Sequence, residues 1–345
     1  MFPLSRFLRD PPPRIPLGAF PAPLEEHPAL ARALGFETLI IKREDRNGGE
    51  LGGNKLRALE WILPAAGPAI ATWGGFGSTW CATLAWYAAR EGRRVGVALL
   101  PQPWTEAVAT VLAVTLEHAE VRLAASLAAL PFAAWSARRR LAKRGTPVTW
   151  IPVGGACPVG VLGSVNAALE LAEQVARGEA PRPDVVLVPL GSGGTAAGLV
   201  VGFGLAGWDV TVAAVGVTSP WVTGRRTVQR QVRRVSRLLA RAGVAVPARV
   251  ARLRVIGTES GAGYGHPTER ARAACARLAS LGIGAELTYS AKAFAALPAL
   301  AGRFRRPCFW HTFDPRLLAA PRVAADHPLL VQARARAESL WPSPK

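Results

Sequence analysis

Residues Val185–Leu205 read VVLVPLGSGGTAAGLVVGFGL. The first six are apolar and β-rich, the next five form a glycine cluster, and the last ten are small, apolar and long enough for a helix. An uncharged run of about 18 residues or more raises the question of a transmembrane span. Here Gly191–Thr195 interrupts it, and a buried strand, a tight loop and a buried helix fit better than a bilayer crossing. Two further uncharged runs, Trp61–Ala89 and Ile151–Leu169, break in the same way and carry internal prolines. No membrane partner is expected.

The same alternation extends in both directions. Candidate strands are Thr38–Ile41, Ala69–Trp73, Val95–Leu100, Pro147–Val153, Val185–Pro189, Thr211–Gly216, Arg252–Ile256 and Cys308–His311. Between them lie helical patterns such as Asn54–Leu63, Ser78–Glu91, Thr105–His118, Leu162–Arg177 and Thr268–Leu281. This order predicts an α/β protein with parallel sheets wrapped by helices on both faces. A length of 345 residues suits two such domains. The expected division is a large domain of residues 1–52 and 155–345 and a smaller α/β domain of residues 53–154, with the Gly/Pro-rich stretch Pro152–Gly163 as the hinge.

Half of the residues are apolar and only 19% are charged, which excludes disorder for the chain as a whole. The 42 basic and 23 acidic residues leave a net charge of +19. Only five of the basic residues are lysines: Lys42, Lys55, Lys143, Lys292 and Lys345. The arginines are scattered and not interleaved with aromatics, so they read as surface composition and no nucleic-acid partner is expected. The one dense stretch, Arg225–Arg241, places Val228, Val232, Val235, Leu238 and Leu239 at helical spacing among seven arginines, which describes a solvated amphipathic helix. Cys81, Cys157, Cys275 and Cys308 lie far apart without metal-ligand spacing, so no metal site is expected. Charges and prolines break Met1–Phe20, so a signal peptide is not read there, and a reducing cytoplasm is the expected compartment.

Four segments carry chemistry. In Lys42–Arg57, a strand end and a charged turn lead to Gly52-Gly53-Asn54-Lys55 at the opening of a helix. The glycines let backbone approach a flat ligand, and the positive potential of a helix N-terminus disfavours a protonated amine on Lys55. That is one way to keep a lysine reactive. The loop Gly191, Ser192, Gly193, Gly194 and Thr195, between strand and helix, offers amides and a helix dipole to a phosphate. It is neither a nucleoside-triphosphate loop nor the G-x-G-x-x-G fingerprint. Thr72–Cys81 (TWGGFGSTWC) repeats the strand, loop and helix order, with Ser78 at the N-cap position, where capping alone would explain it. Gly261–Thr268 (GAGYGHPT) and Tyr289-Ser290-Ala291-Lys292 hold two of the three tyrosines, which buried packing alone would also explain.

Taken together, the segments from about Lys42 to His311 resemble the fold-type II pyridoxal-phosphate enzymes of the D-cysteine desulfhydrase and 1-aminocyclopropane-1-carboxylate deaminase family, which is tryptophan synthase beta-like. The resemblance places the Schiff-base lysine of the pattern G-G-N-K-L-R at Lys55, beside Asn54, and the phosphate cup at Gly191–Thr195. It implies pyridoxal 5'-phosphate as cofactor, held by the large domain. Lys55 would act as the base at the substrate carbon, Ser78 would contact the substrate carboxylate or its reacting carbon, and Tyr264 and Tyr289 would line the pocket. In that family, the residue after the second tyrosine faces the pyridine nitrogen. It is a glutamate in cyclopropane deaminases and a hydroxyl residue in desulfhydrase-like members. Here it is Ser290, which favours β-elimination over ring opening.

Three segments depart from the family. The asparagine that normally meets the ring hydroxyl is replaced by Thr79, followed by Trp80, so Thr79 substitutes, leaves the contact to water or marks a changed activity. A glycine-glycine-serine-asparagine segment reads Gly154, Gly155, Ala156, Cys157, and H-T-G-G reads His311, Thr312, Phe313, Asp314. The implied function is deamination or β-elimination of a small amino acid to a 2-oxo acid and ammonia by a cytoplasmic homodimer. The alternatives are cyclopropane deaminase activity and a diverged cofactor-binding homologue without this catalysis.

Overall fold

The computed structural model describes residues 3–48, 50–142, 145–218, 223–247, 250–318 and 323–342. Lys143 and Lys345 lie outside them. Among the described residues ten strands occur in this order: β1 (Leu24–Glu26), β2 (Ile40–Arg43), β3 (Ala69–Gly75), β4 (Arg94–Leu100), β5 (Glu120–Leu123), β6 (Val148–Trp150), β7 (Val185–Leu190), β8 (Thr211–Gly216), β9 (Arg252–Ile256) and β10 (Pro307–His311). The chain forms two compact units, Met1–Trp61 with Ala156–Asp314, and Ile62–Gly155 with Pro315–Lys345.

The larger unit is built on a six-stranded sheet of order β1-β2-β10-β7-β8-β9, parallel except for β1. A parallel sheet is covered on both faces, so its strands read as continuous apolar runs. Every residue of β7 and β10 is buried. Alternate β7 side chains feed opposite cores. Val186, Val188 and Leu190 pack with the helices Pro158–Ala176 and Gly194–Leu205. Val185 and Leu187 pack with Leu278, Phe294 and Leu297. The helix Gly194–Leu205 sits close against Pro158–Ala176 because a Cβ on Gly198 or Gly202 would fall 2.4 Å from Ser164 or Val165. In the helix Arg225–Arg241, Val228, Val235 and Leu239 face inward and all seven arginines are exposed.

At β7 the strand order switches, with β8 and β9 on one side and β10 and β2 on the other. Loops beyond the carboxyl ends of strands at such a switch are the usual ligand position in open α/β sheets. Gly191–Thr195 follows β7, Thr312–Asp314 follows β10, and Glu44–Gly53 follows β2.

The smaller unit has a parallel four-stranded sheet of order β5-β4-β3-β6. It carries the helices Thr79–Arg90, Glu106–His118, Leu130–Leu141 and Pro328–Leu340.

Apart from Gly155, which falls in the smaller unit, these bounds differ from the sequence-based division at two places. The helix Asn54–Ile62 belongs to the larger unit through Trp61, because Arg57 is buried in ion pairs with Glu44 and Glu170 and Trp61 enters the apolar core. The C-terminal residues from Pro315 belong to the smaller unit, where Arg336 Nη1 donates to the carbonyls of Leu123 and Ala124. The short strands β1 and β5 had no counterpart among the candidate strands. Among the described residues no helix is long and apolar enough to cross a membrane.

Candidate active site

Lys55 is the second residue of the helix Asn54–Ile62. The turn before it is held from three directions. Gly53 N donates to Glu44 O at 2.9 Å, Asn54 N donates to Thr312 O at 3.2 Å, and Gly52 N donates to the Asp314 carboxylate. Asp314, read from sequence only as a departure, therefore fastens the glycine turn. Below the turn lies a buried ionic chain in which Arg57 binds both Glu44 and Glu170, and Lys42 Nζ reaches Glu170 at 2.6 Å. The helix that presents Lys55 is thus pinned at its first turn.

Burial lowers the Lys55 amine to about 8, against the opposing charge of Glu286. Desolvation disfavours the ammonium form, so an appreciable share of the amine is neutral near neutral pH. Its Nζ lies 5.8 Å from the centre of the Tyr289 ring. Tyr289 packs on Gly191, where a Cβ would come 2.9 Å from Cε1, and its hydroxyl is 3.0 Å from that of Tyr264. Ser290 is fully buried, with Oγ 3.5 Å from Thr312 Oγ1.

The loop Gly191–Thr195 turns through Gly193, whose φ of 86° lies in the left-handed region open to glycine. The helix that follows aims its first amides into the loop, where no side chain caps them. Thr195 Oγ1 accepts from Asn54 Nδ2 at 2.9 Å, which ties the loop to the lysine helix. Asn54, Lys55, Gly191–Thr195, Tyr264, Tyr289 and Ser290 all lie in the larger unit.

Ser78 and Thr79 belong to the smaller unit. Ser78 is buried and caps the helix Thr79–Arg90, its Oγ accepting from Cys81 N at 3.4 Å. Thr79 is half-buried at the first helical position. Trp80 turns into the interior of that unit, donating from Nε1 to Thr72 Oγ1 at 3.0 Å and packing on Gly155. The Thr79-Trp80 departure thus combines one polar residue near the loop with one core residue. Ala156 borders Gly194 and accepts from Gln231 through its carbonyl.

Glu286 was not singled out from sequence. Its carboxylate accepts from the amides of Thr288, Tyr289 and Ser290 at 2.6–3.0 Å. Burial raises its pKa, against those amides and the charge of Lys55.

The sequence profile of the family described as pyridoxal-phosphate dependent enzyme matches residues 15–312. The chain belongs to that family. As a pyridoxal-phosphate dependent enzyme it is 36% identical over 315 residues to the nocardicin C-9' epimerase of Nocardia uniformis subsp. tsuyamanensis, covering 88% of this chain and 93% of that one. It is 32% identical over 305 residues to the D-cysteine desulfhydrase of Salmonella choleraesuis (strain SC-B67), covering 85% and 88%. A crystal structure described as the ACC deaminase homologue superposes with a TM-score of 0.76 at 25% identity, covering 96% of this chain and 98% of that one. The two mostly parallel sheets are those of fold-type II members of this pyridoxal-phosphate dependent family.

The larger unit's residues fit the cofactor on their own chemistry. A lysine amine with a lowered pKa can form an imine, uncapped amides at a helix N-terminus suit a dianionic phosphate, and a buried hydroxyl such as that of Ser290 can partner a ring nitrogen.

Proposed function

We propose that the enzyme carries out deamination or β-elimination of a small amino acid, in the manner of a D-cysteine desulfhydrase, releasing a 2-oxo acid and ammonia. The observation that carries this reading is the tie between Asn54 and Thr195, which joins a lysine with a lowered pKa to a phosphate-type loop beside a hydroxyl residue, Ser290. The cofactor, when bound, supplies an electron sink for charge developing at the substrate α-carbon.

Lys55 holds the cofactor and then moves the α-proton. Backbone amides of Gly191, Ser192, Gly193, Gly194 and Thr195 hold the phosphate, with Asn54 keeping the lysine helix in register. Ser290 offers the ring nitrogen a neutral partner, which suits loss of a good leaving group better than opening of a cyclopropane. Tyr264 and Tyr289 form a polar wall beside Lys55. The family resemblance would assign Ser78 to the substrate carboxylate or its reacting carbon, and Thr79 to the contact with the cofactor's ring hydroxyl unless water takes it or the activity has changed. The proposed assembly is a homodimer, a reading supported by the exposed Phe132 and Trp135, whose rings lie 5.8 Å apart on one helix. The proposed compartment is the cytoplasm, in keeping with four free cysteines.

A second reading is epimerisation at an amino-acid α-carbon, favoured by the 36% identity to the nocardicin epimerase. Both reactions begin with the same proton and diverge after it. The test is incubation of the cofactor-loaded enzyme with D-cysteine, D-serine, L-serine and the cyclopropane amino acid in deuterated water. Release of ammonia and oxo acid supports elimination, with the Lys55→Ala variant inactive. Deuterium at the α-carbon with inversion and no ammonia supports epimerisation. Silence on both counts with every substrate, despite a borohydride-sensitive visible band on Lys55, would leave a cofactor-binding homologue without this catalysis.

A further inference from the structure

Lys292 is the third described lysine, after Lys42 and Lys55. Its side chain is fully buried in the helix Ser290–Ala295, and Nζ donates to Ser260 O at 2.9 Å and Gly263 O at 3.1 Å. These carbonyls bracket the turn Ser260–Gly263, which closes on itself through Gly263 N and Ser260 O at 3.1 Å and leads directly into Tyr264. Six residues before Lys292, Glu286 gathers the amides of Thr288, Tyr289 and Ser290. One buried charge therefore fastens the backbone beside Tyr264, and the other fastens the backbone of Tyr289.

The two tyrosines meet where these attachments converge. Their hydroxyls are 3.0 Å apart and their rings stand edge to face at 5.8 Å. A buried ammonium carries a desolvation cost that its partners must repay, and an apolar chain of the same length would fill the space without that cost. What the apolar chain could not do is hold two carbonyls in a fixed direction. Lys292 also lies in the fields of Glu286 and Glu259, which oppose the lowering that burial imposes on its amine.

We propose that Lys292 and Glu286 are a pair of positioning residues that set the Tyr264–Tyr289 hydroxyl contact, and through it the polar wall facing Lys55. This rests on the reading of the two tyrosines as pocket residues, but its test does not depend on turnover.

The chain has three tyrosines, and the third, Tyr87, lies in the helix Thr79–Arg90 of the smaller unit. Tyrosine labelled with carbon-13 at Cζ therefore gives three resonances in the cofactor-loaded full chain, assigned by single Tyr→Phe replacements. The Cζ shift reports the hydrogen bonding of each hydroxyl. Lys292→Met is expected to move the Tyr264 and Tyr289 resonances and leave that of Tyr87 in place. On the substrate that is turned over, kcat falls about tenfold to a hundredfold with KM nearly unchanged. In a Tyr264→Phe background the same replacement costs little more, because the contact it served is already gone.

Should Lys292→Met disturb Tyr87 as well, Glu286→Gln decides the matter. It keeps an acceptor oxygen and removes the charge, and is expected to move the same two resonances to a smaller extent. Unmoved Tyr264 and Tyr289 resonances in the variant that leaves Tyr87 intact overturn the proposal, as do losses in kcat that add fully to that of Tyr264→Phe. Resonances that respond in an enzyme with no turnover support the positioning role and count against the proposed reaction alone.

Discussion

Asn54 Nδ2 donates to Thr195 Oγ1 at 2.9 Å, so the residue beside Lys55 and the last residue of the glycine loop are fastened to each other across 141 positions of sequence. In the proposed reading, the bond joins the part of the site that would form the covalent link to the part that would carry the phosphate. It sets the distance between the two on the protein side, before any cofactor arrives.

Asn54→Ala should therefore weaken cofactor retention with little effect on folding. Loss of one such hydrogen bond is worth about 1 kcal/mol, and the misaligned loop adds to it. The expected outcome is roughly a tenfold rise in the dissociation constant for pyridoxal phosphate, read by titrating the apo-protein and following the visible band. Unchanged affinity would mean that the loop and the helix hold their places independently.

The Lys55 amine supplies a pH prediction. Burial lowers it to about 8, from an ordinary value of 10.5. Capture of a carbonyl compound by the apo-protein requires the free amine, so the initial rate should rise through a midpoint near 8 and level above it. Glu286 opposes the lowering, and Glu286→Gln should move the midpoint downward. A midpoint near the ordinary lysine value in the native protein would show that the amine is solvated.

Much of this arrangement is legible in the residues themselves, and the exceptions have physical causes. The strand β7, the glycine loop and the helix after it stand out because burial on both faces removes every charge from Val185–Leu205. β1 and β5 are three and four residues long and carry charges, so no periodicity can develop in them. Glu286 belongs to no spacing pattern, and its importance arises from a turn that brings three amides onto one carboxylate. Trp80 shows the reverse case. A residue beside the loop drew attention as a pocket substitution, but the helix turn sends its ring toward Thr72 and Gly155.

Gly202 gives a test in which the sign is diagnostic. In an exposed helix, glycine to alanine is favourable by about 1 kcal/mol. At Gly202 the added Cβ would lie 2.4 Å from Val165 O and 2.6 Å from the Ala168 Cβ, and both belong to a packed helix. Gly202→Ala should instead destabilise by about 1–3 kcal/mol, visible as a lower urea midpoint and a lower Tm. A neutral or stabilising result would mean that the two helices can separate without cost.

The ionic chain beneath the lysine helix should set the acid limit of the fold. Burial alone would raise the Glu170 carboxyl, but the charges of Arg57 and Lys42 outweigh it and hold the group at about 2. A carboxylate with a depressed native pKa contributes stability that is complete above the unfolded value, near 4.3, and that disappears as the pH falls toward 2. A shift of this size corresponds to about 3 kcal/mol. Glu170→Gln should cost about 3–5 kcal/mol at pH 7, since it leaves Lys42 and Arg57 buried with one neutral partner in place of a charge. The variant should then lose less further stability than the native protein between pH 5 and pH 2.5, measured by urea unfolding at each pH. Equal acid sensitivity in the two proteins would move the source of the acid transition away from Glu170, and the pinning of the Lys55 helix would then rest on Glu44 and Arg57.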